Sequence, residues 1–189
     1  APGDAIYEDV NHDGVINEYD IVYLGNSQPR FMGGCGFNIT YKQFRLSTNF
    51  YGRYGQDVIN SARMSNESMY GTSNQSTAVL RRWRNEGDIT DIPRALYNEG
   101  FNYLGSDRFV EDASYLRLKT LSLTYKVSKK LCQNWGLSNL EVYVTGYNLF
   151  TWTNYTGQDP EVKTTNTYAK DSATTPISKQ FTCGVNLSF

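Results

Sequence analysis

Counting back in steps of two from Phe189 gives Leu187, Val185, Cys183 and Phe181, and the residues between them are Ser188, Asn186, Gly184 and Thr182. A two-residue period of this kind specifies a β-strand with one apolar and one polar face. The edge of such a closing strand needs a partner, and closing a barrel is the usual way to supply one.

The same period recurs upstream. Phe31, Gly33, Cys35, Phe37, Ile39 and Tyr41 share one face, with Gly34, Gly36, Asn38, Thr40 and Lys42 on the other. After a tight turn at Lys42-Gln43 come Phe44, Leu46, Thr48 and Phe50 against Arg45, Ser47, Asn49, Tyr51 and Arg53. These two strands form a hairpin over 31–55, each reaching the roughly 9–11 residues that cross a tilted barrel wall. Further strands run over Tyr115–Val127 and Leu140–Trp152, within a hairpin over 113–152, and a last one follows Pro176, over 176–189. The expectation is five strands.

Between them the connections alternate in length. Those after Tyr41 and Val127 are short, whereas 56–112 and 153–175 are long and rich in Asn, Ser, Thr, Gly and Asp. Within the first long connection, Ser61–Tyr70 and Ser76–Glu86 have helical character, the second closed by Gly87. Short turns on one side and long loops on the other are the asymmetry of outer-membrane barrels. Parity then puts the C-terminus on the periplasmic side and 1–30 outside.

Composition is consistent with this reading without selecting it. Hydrophobic residues make up 39% of the 189 and charged residues 20%, in the range of globular domains. No apolar run approaches the 18 or so residues of a spanning helix, but barrel strands average out as hydrophilic, so a mean hydropathy of -0.54 leaves a membrane open. Aromatics reach 14%, with 15 tyrosines, a bias shared by strands, interfacial girdles and sugar-binding surfaces. A formal net charge of -1 argues against a nucleic-acid partner. Cys35, Cys132 and Cys183 lack metal-type spacing and read as free, structural thiols. No charged and apolar leader precedes Ala1-Pro2-Gly3-Asp4, which reads as a piece of something longer or a processed end.

The strongest local motif is Asp9-Val10-Asn11-His12-Asp13-Gly14-Val15-Ile16-Asn17-Glu18-Tyr19-Asp20. Asp9, Asn11, Asp13, Asn17 and Asp20 place oxygen side chains at loop positions 1, 3, 5, 9 and 12, Val15 offers its carbonyl, and Gly14 takes the sharp turn. A hard cation such as calcium takes six to eight oxygens, which this spacing is suited to supply. The competing reading is an Asx-rich turn without metal. Asp20 in place of the usual glutamate gives the loop a dockerin-type character.

Catalytic candidates are few. His12, the one histidine, lies inside this loop, so a histidine-based triad or a multi-histidine zinc site has no basis. Glu86, Asp88, Asp91, Glu111, Asp112, Asp159 and Glu161 all fall in loops, where acids are usually solvated. The chain reads as a non-enzyme with no catalytic residues.

Several segments resemble the C-terminal part of SusC-like (RagA-like) TonB-dependent outer-membrane transporters. They are Gly3 to Asn11 with Gly14-Val15-Ile16-Asn17, Gly25 to Phe31, Asp91-Ile92-Pro93-Arg94, Ala113 to Lys119, Gly146 to Thr153 with Gly157-Gln158-Asp159-Pro160-Glu161, and the closing aromatic strand. The resemblance implies an all-β fold: the last five antiparallel strands of a transmembrane barrel of about 22 strands, with short helices in its long extracellular loops. It further implies a plug and TonB-contacting segment at the N-terminal end of such proteins, a SusD-like lipoprotein lid, and import of oligosaccharides or peptides. Arg45, Asn49, Arg53, Glu141, Tyr143 and Tyr147 would face the lumen, and Phe44, Leu46, Phe50, Leu121, Leu123, Val185 and Leu187 the outer-membrane lipid. Substrate and lid contacts are expected within 56–112 and 153–175. The alternative is a secreted, calcium-stabilised β-module that binds carbohydrate, with its apolar faces packed into a sandwich.

Overall fold

The computed structural model describes residues 1–164 and 168–189. Ten regular elements follow in order: β1 (Phe31–Tyr41), β2 (Phe44–Tyr54), β3 (Asp57–Asn60), α1 (Ser61–Asn66), β4 (Val110–Asp112), β5 (Tyr115–Lys126), α2 (Lys129–Asn134), β6 (Asn139–Thr153), β7 (Lys170–Asp171) and β8 (Gln180–Ser188), with short 3-10 turns at Glu18–Asp20, Thr77–Arg81 and Asp107–Phe109. They divide into two compact units. One comprises Ala1–Ser27, Asp57–Glu111 and Val162–Thr174, the other Gln28–Gln56, Asp112–Glu161 and Thr175–Phe189.

The second unit is built on one antiparallel sheet in the order β1-β2-β5-β6-β8. The five expected strands are these five. Lys42 takes a positive φ of 53° at the turn between β1 and β2, and the register runs unbroken from Tyr41 opposite Phe44 to Phe31 opposite Tyr54. Across the sheet, Leu46 lies beside Leu123, Leu123 beside Val144, and Val144 beside Cys183. One residue along, Arg45, Thr124, Tyr143 and Gly184 form the matching polar row. The residues expected to line a lumen share one face of the sheet, and those expected to meet lipid share the other.

Two irregularities lie at the same level. In β5 the register steps from Leu118 to Thr120, leaving Lys119 as an extra residue. In β6 it steps from Tyr147 to Phe150, with Asn148 at φ 53°. A one-residue bulge switches parity, so Tyr115 and Arg117 share the polar face with Thr120, Ser122 and Thr124. The two extra residues of β6 preserve parity, and Leu149 folds over Gly146, where an added Cβ would meet its methyls at 2.8 Å. Sequence periodicity did not reveal the switch at Lys119.

The apolar face is not covered by a second sheet packed on it, because Phe181, Val185 and Leu187 are 72%, 55% and 52% exposed. The sandwich alternative requires these residues to be buried. Aromatic pairs instead lie along the open face, Phe44 with Tyr125 at 4.9 Å and Phe37 with Phe50 at 6.2 Å between ring centres.

The first unit carries a smaller sheet, β4-β3-β7, in which β3 and β7 are parallel. Its two- to four-residue strands are too short to show a period, and none was expected. The helices are shorter than expected too. α1 ends at Asn66, and the turn at Thr77–Arg81 stops because the Trp83 N–H donates to the Ile92 carbonyl and draws the chain out. α2, which was not expected, is closed by Gly136 at φ 70°, with the Leu137 N–H returning to the Cys132 carbonyl.

Val58, Ile92 and Phe109 fill the core of this unit. Around Phe109 sits a charged network. Glu67 accepts from Arg63 Nε at 3.1 Å and Arg108 Nη2 at 2.6 Å, while Glu111 accepts from Arg63 Nη1 at 3.3 Å and Asn60 Nδ2 at 3.1 Å. The Glu67 side chain is only 7% exposed, so removing it takes the carboxylate from Arg108 and leaves Arg63 with Glu111 alone. We predict that Glu67→Ala destabilises this unit by about 3 kcal/mol, seen as lost hydrogen-exchange protection across α1 and residues 107–111. Unchanged protection would refute that role.

Candidate functional site

Two clusters of polar side chains stand out, one in each unit. On the polar face of the large sheet, the bulge at Lys119 sets Arg117 and Lys119 pointing the same way as Thr151 and Tyr51. Arg117 is 3% exposed, and each of its three guanidinium nitrogens has an acceptor. Its Nε donates to Thr151 Oγ1 at 2.8 Å, Nη1 to Glu161 at 2.7 Å, and Nη2 to Asp159. Lys119 Nζ adds a second donor to Glu161 at 2.8 Å. The guanidinium also sits 5.3 Å from the Tyr115 ring centre.

Asp159 does more than pair with Arg117. Its Oδ1 accepts the Glu161 N–H at 2.9 Å and its Oδ2 the Ile177 N–H at 3.1 Å, so it ties together both ends of the connection between β6 and β8. Burial alone would raise its pKa. The Arg117 hydrogen bond and the two backbone N–H groups outweigh burial and hold it below the ordinary carboxylate range. A desolvated, fully hydrogen-bonded Arg–carboxylate pair of this kind is rigid.

In the other unit, the cation-type loop adopts the wrapped geometry its spacing predicts. Asp9 Oδ1 accepts the Asp13 N–H at 3.2 Å and Oδ2 the Gly14 N–H at 2.7 Å, while Asp13 Oδ1 accepts the Val15 N–H at 2.8 Å. The side-chain amides of Asn11 and Asn17 reach Asp13 Oδ2, and Asn17 Nδ2 also meets the Val15 carbonyl. Gly14 has φ 82° with open space where a Cβ would be, so the backbone conformation, rather than crowding, calls for glycine. His12, at φ 60°, is exposed.

Asp20 closes the loop. It accepts the N–H of Asn17 at 2.7 Å, completing the capping box of the 3-10 turn that it ends, and the N–H of Val10 at 2.9 Å, and these bonds, the Asn17 one foremost, lower its pKa. Among the described residues, no group of three His, Cys, Asp or Glu side chains is arranged as a metal site. Any cation here would therefore rely on the amide oxygens of Asn11 and Asn17 and the Val15 carbonyl beside the three aspartates. The amide oxygens of Asn11 and Asn17 accept the N–H groups of Asp13 and Tyr19, at 3.0 and 2.8 Å, so both are engaged by the backbone in the manner of Asx turns.

The acids scanned as catalytic candidates have other partners. Asp88 accepts the N–H groups of Arg84 and Asn85, Asp112 those of Ser114, and Glu111 pairs with Arg63. Near the start of the chain, Asp4 takes a bidentate contact from Arg94, at 2.7 and 3.0 Å, and its pKa falls well below the carboxylate range. Asn102 Nδ2 joins the same carboxylate at 3.0 Å. Reasoning from sequence missed both Arg–Asp pairs, because their partners lie far apart in the chain.

The chain matches no family model. It is 30% identical over 196 residues to TonB-dependent receptor P3 of Formosa agariphila, covering 100% of this chain and 19% of that protein. TonB-dependent receptor P26 of the same organism is 34% identical over 159 residues, covering 84% of the chain and 16% of the relative. Among solved structures, the RagAB peptide transporter superposes with a TM-score of 0.75 at 29% identity, over 87% of this chain and 18% of the other. The RagAB peptide importer in its closed-closed state gives 0.74 at 30% identity, with the same coverage. The chain thus spans less than a fifth of the length of these relatives, which are receptors and importers rather than enzymes. With this sheet, this register and these relatives, the chain belongs to the SusC-like (RagA-like) TonB-dependent outer-membrane transporters, of whose barrel it forms a part.

Proposed function

We propose that the chain supplies part of the wall and extracellular mouth of a transporter that imports oligosaccharides or peptides with energy from TonB, working with a SusD-like surface lipoprotein. The observation that carries this reading is the two-faced sheet. Apart from Leu118, Leu140 and Gly146, which are buried, its apolar side is at least partly exposed along β1, β2, β5, β6 and β8, and its other side is lined by Arg45, Asn49, Arg53, Glu141, Tyr143 and Tyr147. In this reading the first face meets lipid and the second the lumen. The likeness to a peptide importer favours peptide cargo, whereas the glycan reading rests on the wider family.

Adjacent residues of β1 offer a direct test. Phe37 lies beside Thr48 on the apolar face and Asn38 beside Ser47 on the polar one, both near the middle of β1. Phe37→Arg should cost roughly 2–4 kcal/mol near the bilayer midplane and reduce the amount of intact transporter recovered in the outer-membrane fraction. Asn38→Arg should leave it unchanged. Equal losses from both would overturn the sidedness on which this function rests.

The aspartate loop is proposed to bind calcium through Asp9, Asn11, Asp13, Val15, Asn17 and Asp20, where the ion would stiffen an extracellular segment. Affinity should fall in the range of extracellular modules, with a Kd on the order of 10⁻⁴–10⁻³ M. Titration calorimetry of the intact transporter should show calcium heats that vanish in Asp9→Ala. Identical heats from the two proteins would remove the metal and leave an Asx turn.

Arg117 and Asp159 are proposed to hold the loop after β6 against the lumenal face, at the mouth. Because the folded Asp159 pKa is depressed, its contribution is complete above the unfolded value of about 3.9 and is lost only as pH falls through the lower folded value. Corrected for intrinsic rates, hydrogen-exchange protection of residues 155–161 should hold from pH 7 to 5 and drop in stronger acid. Asp159→Asn should lower it throughout. Loss of protection between pH 7 and 5 in the unmodified protein would contradict the assignment.

A further inference from the structure

Alternation does not by itself fix how β8 pairs with β6. A slip of one residue is excluded, because it would turn Phe181, Cys183, Val185 and Leu187 to the polar face. A slip of two is not. Moved by about 7 Å along β6, β8 would keep every side chain on its present face and form the same pattern of ladder hydrogen bonds. In a hairpin the length of the turn removes this freedom, but β6 and β8 are joined only by the long connection that follows Thr153.

The observed pairing sets Gly184 opposite Tyr143, with Thr182 opposite Thr145 and Asn186 opposite Glu141. On the polar face of β8, Gly184 is the one position without a side chain. A Cβ there would collide with the Tyr143 hydroxyl and would lie 2.5 and 2.8 Å from its Cζ and Cε1, so the phenol ring fills the space a side chain would take. Exposure agrees with this. Gly184 is the one partly covered residue of Gln180–Ser188, every other residue of the strand being exposed. Glycine inside a strand weakens it, and an aromatic ring laid over it from the neighbouring strand is a known compensation. A slip of two residues in either direction would bring Thr182 or Asn186 under the ring, which would then have to swing off the strand and give up that contact.

We propose that the Tyr143 ring seated over Gly184 selects the register of β8 on β6, as a lock built into the last strand pair of the sheet. The other contacts near β8 are less selective. Asp159 accepts the Ile177 N–H at 3.1 Å and Asn148 Nδ2 donates to the Ser178 carbonyl at 3.3 Å, which holds residues ahead of the strand and not the strand itself. At the far end the Ser138 N–H donates to the Ser188 carbonyl at 2.8 Å, a role that a backbone carbonyl of any residue can fill. Of the features that distinguish one register from the next, the ring and its glycine notch are the one written in side chains along β8.

Cys183, directly opposite Val144, supplies a reporter for the test. In the intact transporter carrying Val144→Cys, mild oxidation should join the two, and peptide mapping identifies the disulfide. A slip of two residues would bring Cys183 opposite residue 142 in one direction and Val185 opposite residue 144 in the other. Val142→Cys reports the first, and Val144→Cys with Val185→Cys and Cys183→Ser the second. Tyr143→Ala, which removes the ring and leaves the ladder intact, should lower the native cross-link several-fold and raise a slipped one. Gly184→Val should lower the native cross-link further, and adding Tyr143→Ala to it should restore the yield to that of Tyr143→Ala alone. Asp159→Asn should leave the native cross-link unchanged. Exclusively native cross-linking in Tyr143→Ala would overturn the proposal and assign the register to the ladder and the loop contacts. An equal effect of Gly184→Val with and without the ring would overturn it too. If Gly184→Val does not assemble, the Tyr143→Ala result decides.

Discussion

The constraint on which the rest depends is that a polypeptide backbone in contact with hydrocarbon must satisfy its hydrogen bonds internally. The five-stranded ladder meets it through β2, β5 and β6, whose N–H and C=O groups are paired on both sides, while β1 and β8 keep one free edge each within this chain. Because the ladder rather than a core holds the strands, the apolar face can remain open. Leucine, valine and phenylalanine are then free to lie outward in rows, an arrangement that would be a liability in water and is suited to a bilayer. The alternation of the sequence and the exposure of that face are two expressions of the same requirement.

The bulge at Lys119 shows how a local irregularity serves a distant contact. Without the extra residue, the parity of Leu121 and Leu123 would carry down β5 and turn Arg117 outward with them, toward hydrocarbon, where an arginine is costly. The inserted residue instead sends Arg117 and Lys119 to the polar side and brings Leu116 and Leu118 onto the apolar one. Asp159 and Glu161 then find both cations on one surface. The pairing is compact because each guanidinium nitrogen has an acceptor, which offsets the desolvation of a side chain buried this deeply.

How much of this was legible in the sequence depended on the distance over which each feature is encoded. The alternation of Phe44 to Phe50 or of Phe181 to Phe189 is written within a few residues, and so strand identity, hairpin register and facing could be read directly. The hydrogen bonds of the loop from Asp9 to Asp20 are local in the same way, joining residues at most 10 positions apart, and their geometry fits the Asx-rich turn that was the competing reading. The parity switch at Lys119 was not legible, because nothing in Leu118-Lys119-Thr120 signals an insertion until β2 and β6 fix the register on either side. β3, β4 and β7 were missed because two to four residues cannot display a period, and they pair only once the long connections have folded. The helices at Ser61 and Thr77 were overextended because local propensity continued past the points where tertiary bonds to Gln75 and Ile92 claim the backbone N–H groups of Met69 and Trp83.

The same distinction separates the two arginine–aspartate pairs from the rest of the charged surface. Asp4 with Arg94 and Asp159 with Arg117 each join a loop to a segment tens of residues away, and each depresses its carboxylate through hydrogen bonds rather than through proximity of charge alone. Long polar connections rich in Asn, Ser and Gly bury too little apolar surface to order themselves. A few multiply hydrogen-bonded arginine–carboxylate contacts supply directional constraint where hydrophobic burial is sparse. In the large-sheet unit, one such contact fixes the loop base at the level where the polar face meets the strand ends, so that the loop's remaining residues are presented from a rigid origin. In the proposed role at a transporter mouth, this arrangement would combine variable loop surface with a fixed point of attachment, so that loops could change while the wall did not.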